Sequence, residues 1–227
     1  MLYFQRQFWS LYGRFVWDDL IKPWRASHIQ QVVRILQQRK KKPNESVLDA
    51  GCGTGNFAMA LAQAGFQVVG IDFAVGMLKQ AKAKLTTDLS KNLLFEQSDL
   101  NTPLHFSDNK FDHIININVL QAIKNPKFTL NEFHRVLKPG GTLVLLFMRK
   151  SYGSIRNIIQ KHIDCLRSRN IWKLMLILFK TLGERIYPVK DWSAEELKKI
   201  VARNKFDIVT VDSSGLPIII VGHKAPE

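Results

Sequence analysis

The stretch "VLDAGCGTGNFAMAL", Val47 to Leu61, constrains the fold more than any other part of this 227-residue chain. An apolar run ending in Asp49 enters a loop with glycines at alternate positions, Gly51, Gly53 and Gly55, and leaves it as a helical apolar stripe. A strand that passes through glycines directly into a helix predicts the first βα turn of a parallel sheet, where a bare backbone can approach a ligand at the strand's carboxyl end. The spacing is not the G-x-G-x-x-G of a dinucleotide fingerprint. Nor is it a phosphate loop, which needs Lys and Ser or Thr where Asn56 and Phe57 stand. Asp49 would oppose a pyrophosphate by like charge; it suits a cationic ligand, or one that offers amines and hydroxyls.

The rest of the chain repeats the rhythm. Apolar runs "SVLDA", "QVVGID", "NLLFEQ", "FDHIININ", "TLVLLF", "FDIVTVDS" and "LPIIIVGHK" are separated by amphipathic helical stretches such as "GMLKQAKAKL", "PKFTLNEFHRVL" and "SAEELKKIVARN". This predicts an α/β, Rossmann-like, doubly wound seven-stranded sheet with helices on both faces and the last strand antiparallel. Gly65 is expected to end the first core helix, Pro126 to open a later one, and "KPGG" at Lys138 to Gly141 to close it. Ser193, with Glu196 three residues on, reads as a capping box, and turn-forming residues between Ser213 and Pro217 predict a closing hairpin. The organisation is one domain: an N-terminal helical cap (1–45), the core (46–148), a helical insertion (149–190), and a C-terminal helix with its hairpin (191–227).

Two further acids fall at strand ends. Asp72 closes the second strand, where a carboxylate can accept hydrogen bonds from both hydroxyls of a ribose, and Asp99 follows Ser98 after the third, where an acid can accept from a purine's exocyclic amine. Each acid alone also suits a cap or a loop. Three at the tips of successive strands, with the glycine loop at the first, form a pattern that points to one ligand.

The segments "VLDAGCGTG", "VVGIDFAVGML", "FEQSDLNTPLHF", "FDHIININVLQAIKNP" and "RVLKPGGTLVLLF" together closely resemble the class I S-adenosylmethionine-dependent methyltransferases, especially the group acting on small molecules. The resemblance runs from about Val47 to Phe147. It implies S-adenosylmethionine as cofactor, with Asp49 and the backbone of Gly51, Cys52 and Gly53 facing its methionine portion and Asp72 its ribose. Phe73 and Met77 would flank the adenine, Ser98, Asp99 and Leu100 would meet the ring edge, and the backbone of Asn116 would meet the methionine amine. Many small-molecule members carry a histidine near Gln121; here a neutral amide replaces it, which could orient an acceptor by hydrogen bonding or simply pack. A tyrosine of the N-terminal region often reaches the cofactor or acceptor in such enzymes, which makes Tyr12 an acceptor-side candidate.

The acceptor must be read elsewhere. Net charge is +14, divided as +6 over 1–46, +1 over 47–148, +8 over 149–190 and −1 over 191–227. The core is balanced, and the flanks carry the excess. The aromatic start, from Tyr3 to Trp24, reads as a lid or as helix packing. The basic insertion, with "IWKLMLILF", reads as a cap over an apolar acceptor or as an element resting on anionic membrane. A nucleic-acid methyltransferase would explain the charge, but "NINVLQ" lacks the Pro-Pro-aromatic signature of many base-modifying members, so nucleic acid is disfavoured. A binding module that keeps the cofactor site without turnover is the other alternative. No zinc-like ligand spacing, secretory signal or apolar run of roughly 18 to 20 residues occurs, so the reading is a cytoplasmic protein, peripheral to membrane at most. Oligomeric state is not encoded in these patterns.

Overall fold

The computed structural model describes residues 10, 22–148, 190–214 and 217–226. Helix α1 (Lys22–Gln37) precedes strand β1 (Ser46–Ala50), after which helix and strand alternate. In order come α2 (Asn56–Gln63), β2 (Gln67–Asp72), α3 (Val75–Ala83), β3 (Leu93–Gln97), β4 (Phe111–Ile117), α4 (Pro126–Val136) and β5 (Leu137–Met148). Then follow α5 (Ala194–Arg203), β6 (Phe206–Asp212) and β7 (Pro217–Lys224).

The described strands form a seven-stranded sheet in the order β3-β2-β1-β4-β5-β7-β6. The first five pair in parallel, and β7 runs antiparallel to both β5 and β6. This is the doubly wound sheet that the sequence predicts, hairpin included. Because β1 pairs with β2 on one side and β4 on the other, the winding reverses there, which opens a crevice at the carboxyl ends of β1 and β4.

Strand alternation divides the core into two layers. Leu143 and Leu145 join Phe133, Leu197 and Phe206 on one face, while Val144 and Leu146 join Val32, Leu36, Leu61 and Phe95 on the other. Both faces are apolar because helices cover both, so "TLVLLF" needs no polar alternation. Helix α1 belongs to the second layer: Val32 and Leu36 are buried in it.

Local signals act mostly as read. Asn125 caps α4 by accepting from the Phe128 N–H, with Pro126 at the first turn. Ser193 and Glu196 exchange side-chain-to-backbone bonds in a capping box. The "KPGG" run differs from expectation. Helix α4 ends before it, and Lys138 to Gly141 belong to β5 as a bulge, four residues facing the single Asp112 of β4, with Gly140 at φ 70°. The glycines let the strand absorb the extra length. Among the described residues no helix is long and apolar enough to cross a membrane.

Candidate active site

The glycine loop is tied to the tip of the neighbouring strand. Gly51 and Cys52 donate their N–H groups to the Ile71 carbonyl at 2.8 and 2.9 Å, and Gly53 donates to Asp72 Oδ2 at 2.9 Å. Asp72 Oδ1 accepts from the Ala74 N–H at 2.8 Å, so one carboxylate orders both the loop and the start of α3. Each oxygen keeps a lone pair for a ligand hydroxyl.

Gly51, Gly53 and Gly55 all have positive φ, at 85°, 54° and 80°. At Gly51 a side chain is excluded twice over. The backbone is left-handed, and an added Cβ would come within 2.5 Å of Val119 Cγ2. Backbone alone fits between β1 and the turn after β4.

Asp49 and Asp72 are 1% and 8% exposed, and among the described residues neither has a cationic partner. Among the described residues Asp49 Oδ2 has no hydrogen-bond partner. Burial, and then repulsion from Asp72, push the Asp49 carboxyl up to about 8, although a hydrogen bond from the Ala58 backbone works against this. Burial also raises Asp72 to about 6 against hydrogen bonds from the Ala74, Gly53 and Phe73 backbones. Two acids held this way lack a cation, and a ligand bearing a positive charge and hydrogen-bond donors would supply one.

The other sequence-predicted residues gather around the same crevice. Ser98 donates its N–H to the Asp72 carbonyl at 3.1 Å, joining the tips of β2 and β3. Asp99 Oδ1 accepts from the N–H and Nδ2 of Asn101 at 3.0 and 2.8 Å, so part of its role is to order the loop. Leu100 and Met77 are buried, and the Phe73 carbonyl accepts from Gln97 Nε2 at 3.2 Å. Cys52 is buried beneath the loop; burial, then Asp49 and Asp72, push its thiol up, so it packs as a neutral group.

The Asn116 side chain is fully buried and committed to structure. Its Nδ2 donates to the Ala50 carbonyl at 2.7 Å, and its Oδ1 accepts from the Leu120 N–H at 3.0 Å. It braces the ends of β1 and β4 against the following turn. Gln121 lies half-buried in that turn, where its carbonyl accepts from the Lys190 N–H at 3.0 Å. Tyr12, the aromatic residues around it and 149–189 lie outside the described residues.

Several contacts had no local signature. Val119 forms the wall against Gly51, Trp192 packs edge-on against Phe147 at 6.0 Å, and Lys190 Nζ lies 5.8 Å over the Trp192 ring. Ser10 Oγ accepts from the Gly76 N–H at 3.1 Å, and an added Cβ at Gly76 would meet Ser10 Cβ at 2.5 Å. A residue near the start of the chain thus touches the first turn of α3, one position from Met77.

An orphaned buried carboxylate oxygen, a second buried acid and a loop that admits no side chain at Gly51 fit the methionine and ribose portions of S-adenosylmethionine. Comparison with known proteins points to the same cofactor. Residues 41–171 match the family model described as "Methyltransferase domain". The demethylmenaquinone methyltransferase of Renibacterium salmoninarum is 36% identical over 122 residues, 53% of this chain and 49% of that protein. The malonyl-[acyl-carrier protein] O-methyltransferase of Hamiltonella defensa is 35% identical over 137 residues, 60% of this chain and 50% of that protein. The chain thus matches about half the length of these curated relatives. The structure of a putative S-adenosyl-L-methionine-dependent methyltransferase from Methanococcus maripaludis superposes with a TM-score of 0.66 at 18% identity, covering 97% of this chain and 95% of that one. The match over more than half of the sequence and the shared sheet lead to one conclusion: the chain belongs to the methyltransferase domain family and has the class I, S-adenosylmethionine-dependent methyltransferase fold.

Proposed function

We propose that this protein transfers a methyl group from S-adenosylmethionine to a small-molecule acceptor by in-line displacement. The observation that carries the reading is the pair of buried acids without a cation, Asp49 and Asp72, joined through the glycine loop. The donor supplies a methyl group already activated on a sulfonium. Asp72 would accept the ribose hydroxyls. Asp49 and the Gly51 to Gly53 backbone would face the methionine portion, and the Asn116 backbone its amine. Phe73 and Met77 would flank the adenine, with Ser98, Asp99 and Leu100 at its edge.

The protein's task is then to hold an acceptor lone pair in line and to exclude water. Gln121 borders the exit of β4, and the Lys190 bond brings the end of the 149–190 segment beside it. That supports the insertion as the acceptor cap, with Gln121 as an orienting amide and Tyr12 as an acceptor-side residue. Neither is assigned as a base; an amine or thiolate acceptor needs none, whereas a phenol would favour one.

A quinone-like acceptor is the second reading, supported by relatives named for demethylmenaquinone. Peripheral membrane contact through 149–190 would accompany it. The donor assignment is tested by calorimetric titration of wild type and Asp72→Ala with S-adenosylmethionine. Unchanged affinity in the variant would sink the ribose assignment. The acceptor is sought by mass spectrometry of extracts incubated with methyl-labelled donor, with and without a reduced demethylated naphthoquinone. Labelled quinone supports the second reading, and a labelled polar metabolite supports a soluble acceptor.

A further inference from the structure

A second concave site lies away from the carboxyl ends of β1 and β2. A cavity of about 560 Å³ opens among α4, the end of α5 and the starts of β4 and β6, and is lined by Lys127, His134, Arg135, Arg203, Lys205 and Lys224. Its volume falls within the roughly 300 to 1,000 Å³ usual for small-ligand sites, but its walls are polar and cationic rather than apolar. Five Lys and Arg side chains face it against one carboxylate, that of Asp108.

The cations differ in how far they are already neutralised. Arg135 is satisfied: it bonds Glu132 and Asp108, each at 2.8 Å, and the carbonyls of Leu104 and Phe106. Lys224 is 8% exposed, and among the described residues its Nζ meets only neutral oxygens, Asn109 Oδ1 at 2.7 Å and the Leu137 carbonyl at 2.9 Å. Among the described residues no carboxylate lies within ion-pair distance of Lys127, Arg203, Lys205 or Lys224. A buried ammonium without a counter-charge is costly, and an external anion would offset that cost. The imidazole of His134 registers the same field, because its pKa is lowered by partial burial and then by Lys224 and Lys205.

We propose that this cavity binds a small oligophosphate, held by Lys127, Arg203, Lys205 and the buried Lys224, with the Asn109 and Asn131 amides as added donors. Four uncompensated cations contributed by separate elements fit several linked negative charges better than a single one. The concavity favours a small ligand over a membrane, whose planar surface would not reach a buried Lys224.

Inorganic triphosphate titrated into the full chain by calorimetry at low salt is the test. Expected are one saturable site, an affinity that falls with added salt, and a loss of at least about tenfold in Arg203→Ala/Lys205→Ala. Lys127→Ala should weaken it as well. These three side chains are exposed, so the variants should keep wild-type urea melts and an unaltered S-adenosylmethionine titration. That last titration also separates this proposal from the donor assignment, since either can fail alone. Absence of saturable heat, affinity unchanged from wild type in both variants, or co-sedimentation with phosphatidylglycerol vesicles without triphosphate binding would overturn the assignment.

Discussion

At the carboxyl end of the sheet Asp49 and Asp72 are buried close enough to repel, with no cation beside them among the described residues. At the amino end three carboxylates are partnered. Glu45 accepts from the Lys41 and Lys42 N–H groups and meets His113 at 2.7 Å, Asp112 meets Lys138 at 2.8 Å, and Glu132 meets Arg135 at 2.8 Å. Both sets sit on the same rigid frame, so the fold does not require the strain of the first. The carboxylates of the amino end are satisfied within the fold, whereas Asp49 and Asp72 are buried without that compensation.

The largest effect expected at the amino end is from Glu45→Ala, which strands a buried imidazole and two backbone donors. Urea unfolding should show a loss of about 3 kcal/mol, with the donor affinity of the folded protein unchanged. Asp72→Ala should reverse the pattern, weakening donor binding by roughly a hundredfold, about 2.7 kcal/mol, in calorimetry. If Glu45→Ala also abolished donor binding in protein shown to be folded, the separation of the two ends would be wrong.

Gly51→Ala is expected to cost about 1 to 2 kcal/mol of stability from the left-handed backbone alone, plus the clash with Val119. A second change, Val119→Ala, should relieve the clash but not the backbone strain. Full rescue of the thermal midpoint by that change would mean that the positive φ of Gly51 is not required.

The pH response should carry opposite signs at the two ends. Asp49 and Asp72 are raised from 3.8 to about 8 and about 6, so between those limits the folded state binds more protons than the unfolded one. Their contribution to stability therefore falls as pH rises through about 6 and then about 8. Asp112 is lowered, despite its partial burial, by Lys138 and Ser46, and Glu132 by its hydrogen bond to Arg135. Their stabilisation is present above the ordinary carboxylate range and is lost as pH falls below it. Thermal melts from pH 5 to 9 should show a decline that continues up to about pH 8 and then levels, and that Asp49→Asn/Asp72→Asn removes; persistence of the decline would assign it elsewhere.

Much of this architecture could be read directly from the chain. The strand runs, the glycine spacing, Asp49 and Asp72 at strand tips, the capping box and the closing hairpin are all short-range signals, each contained within about one turn of helix or one strand. Local pattern misleads at "KPGG", because whether glycines end a helix or bulge a strand depends on the partner strand's register. It could not foresee that the Asn116 side chain is consumed in bracing β1 to β4, or that Ser10 reaches Gly76.

The sequence by itself determined the order of elements, the glycine loop and the acids at the strand tips, because hydrophobic period and turn chemistry act between near neighbours. Only the tertiary structure decided how charge is distributed. Residues 47–148 carry +1 and residues 191–227 carry −1, yet these two segments, neutral in sum, supply the Lys127, Arg203, Lys205 and Lys224 cavity, and the His113–Glu45 pair closes across 68 positions. Coulomb interaction depends on distance in space, and a segment's net charge says nothing of which side chains the sheet brings together.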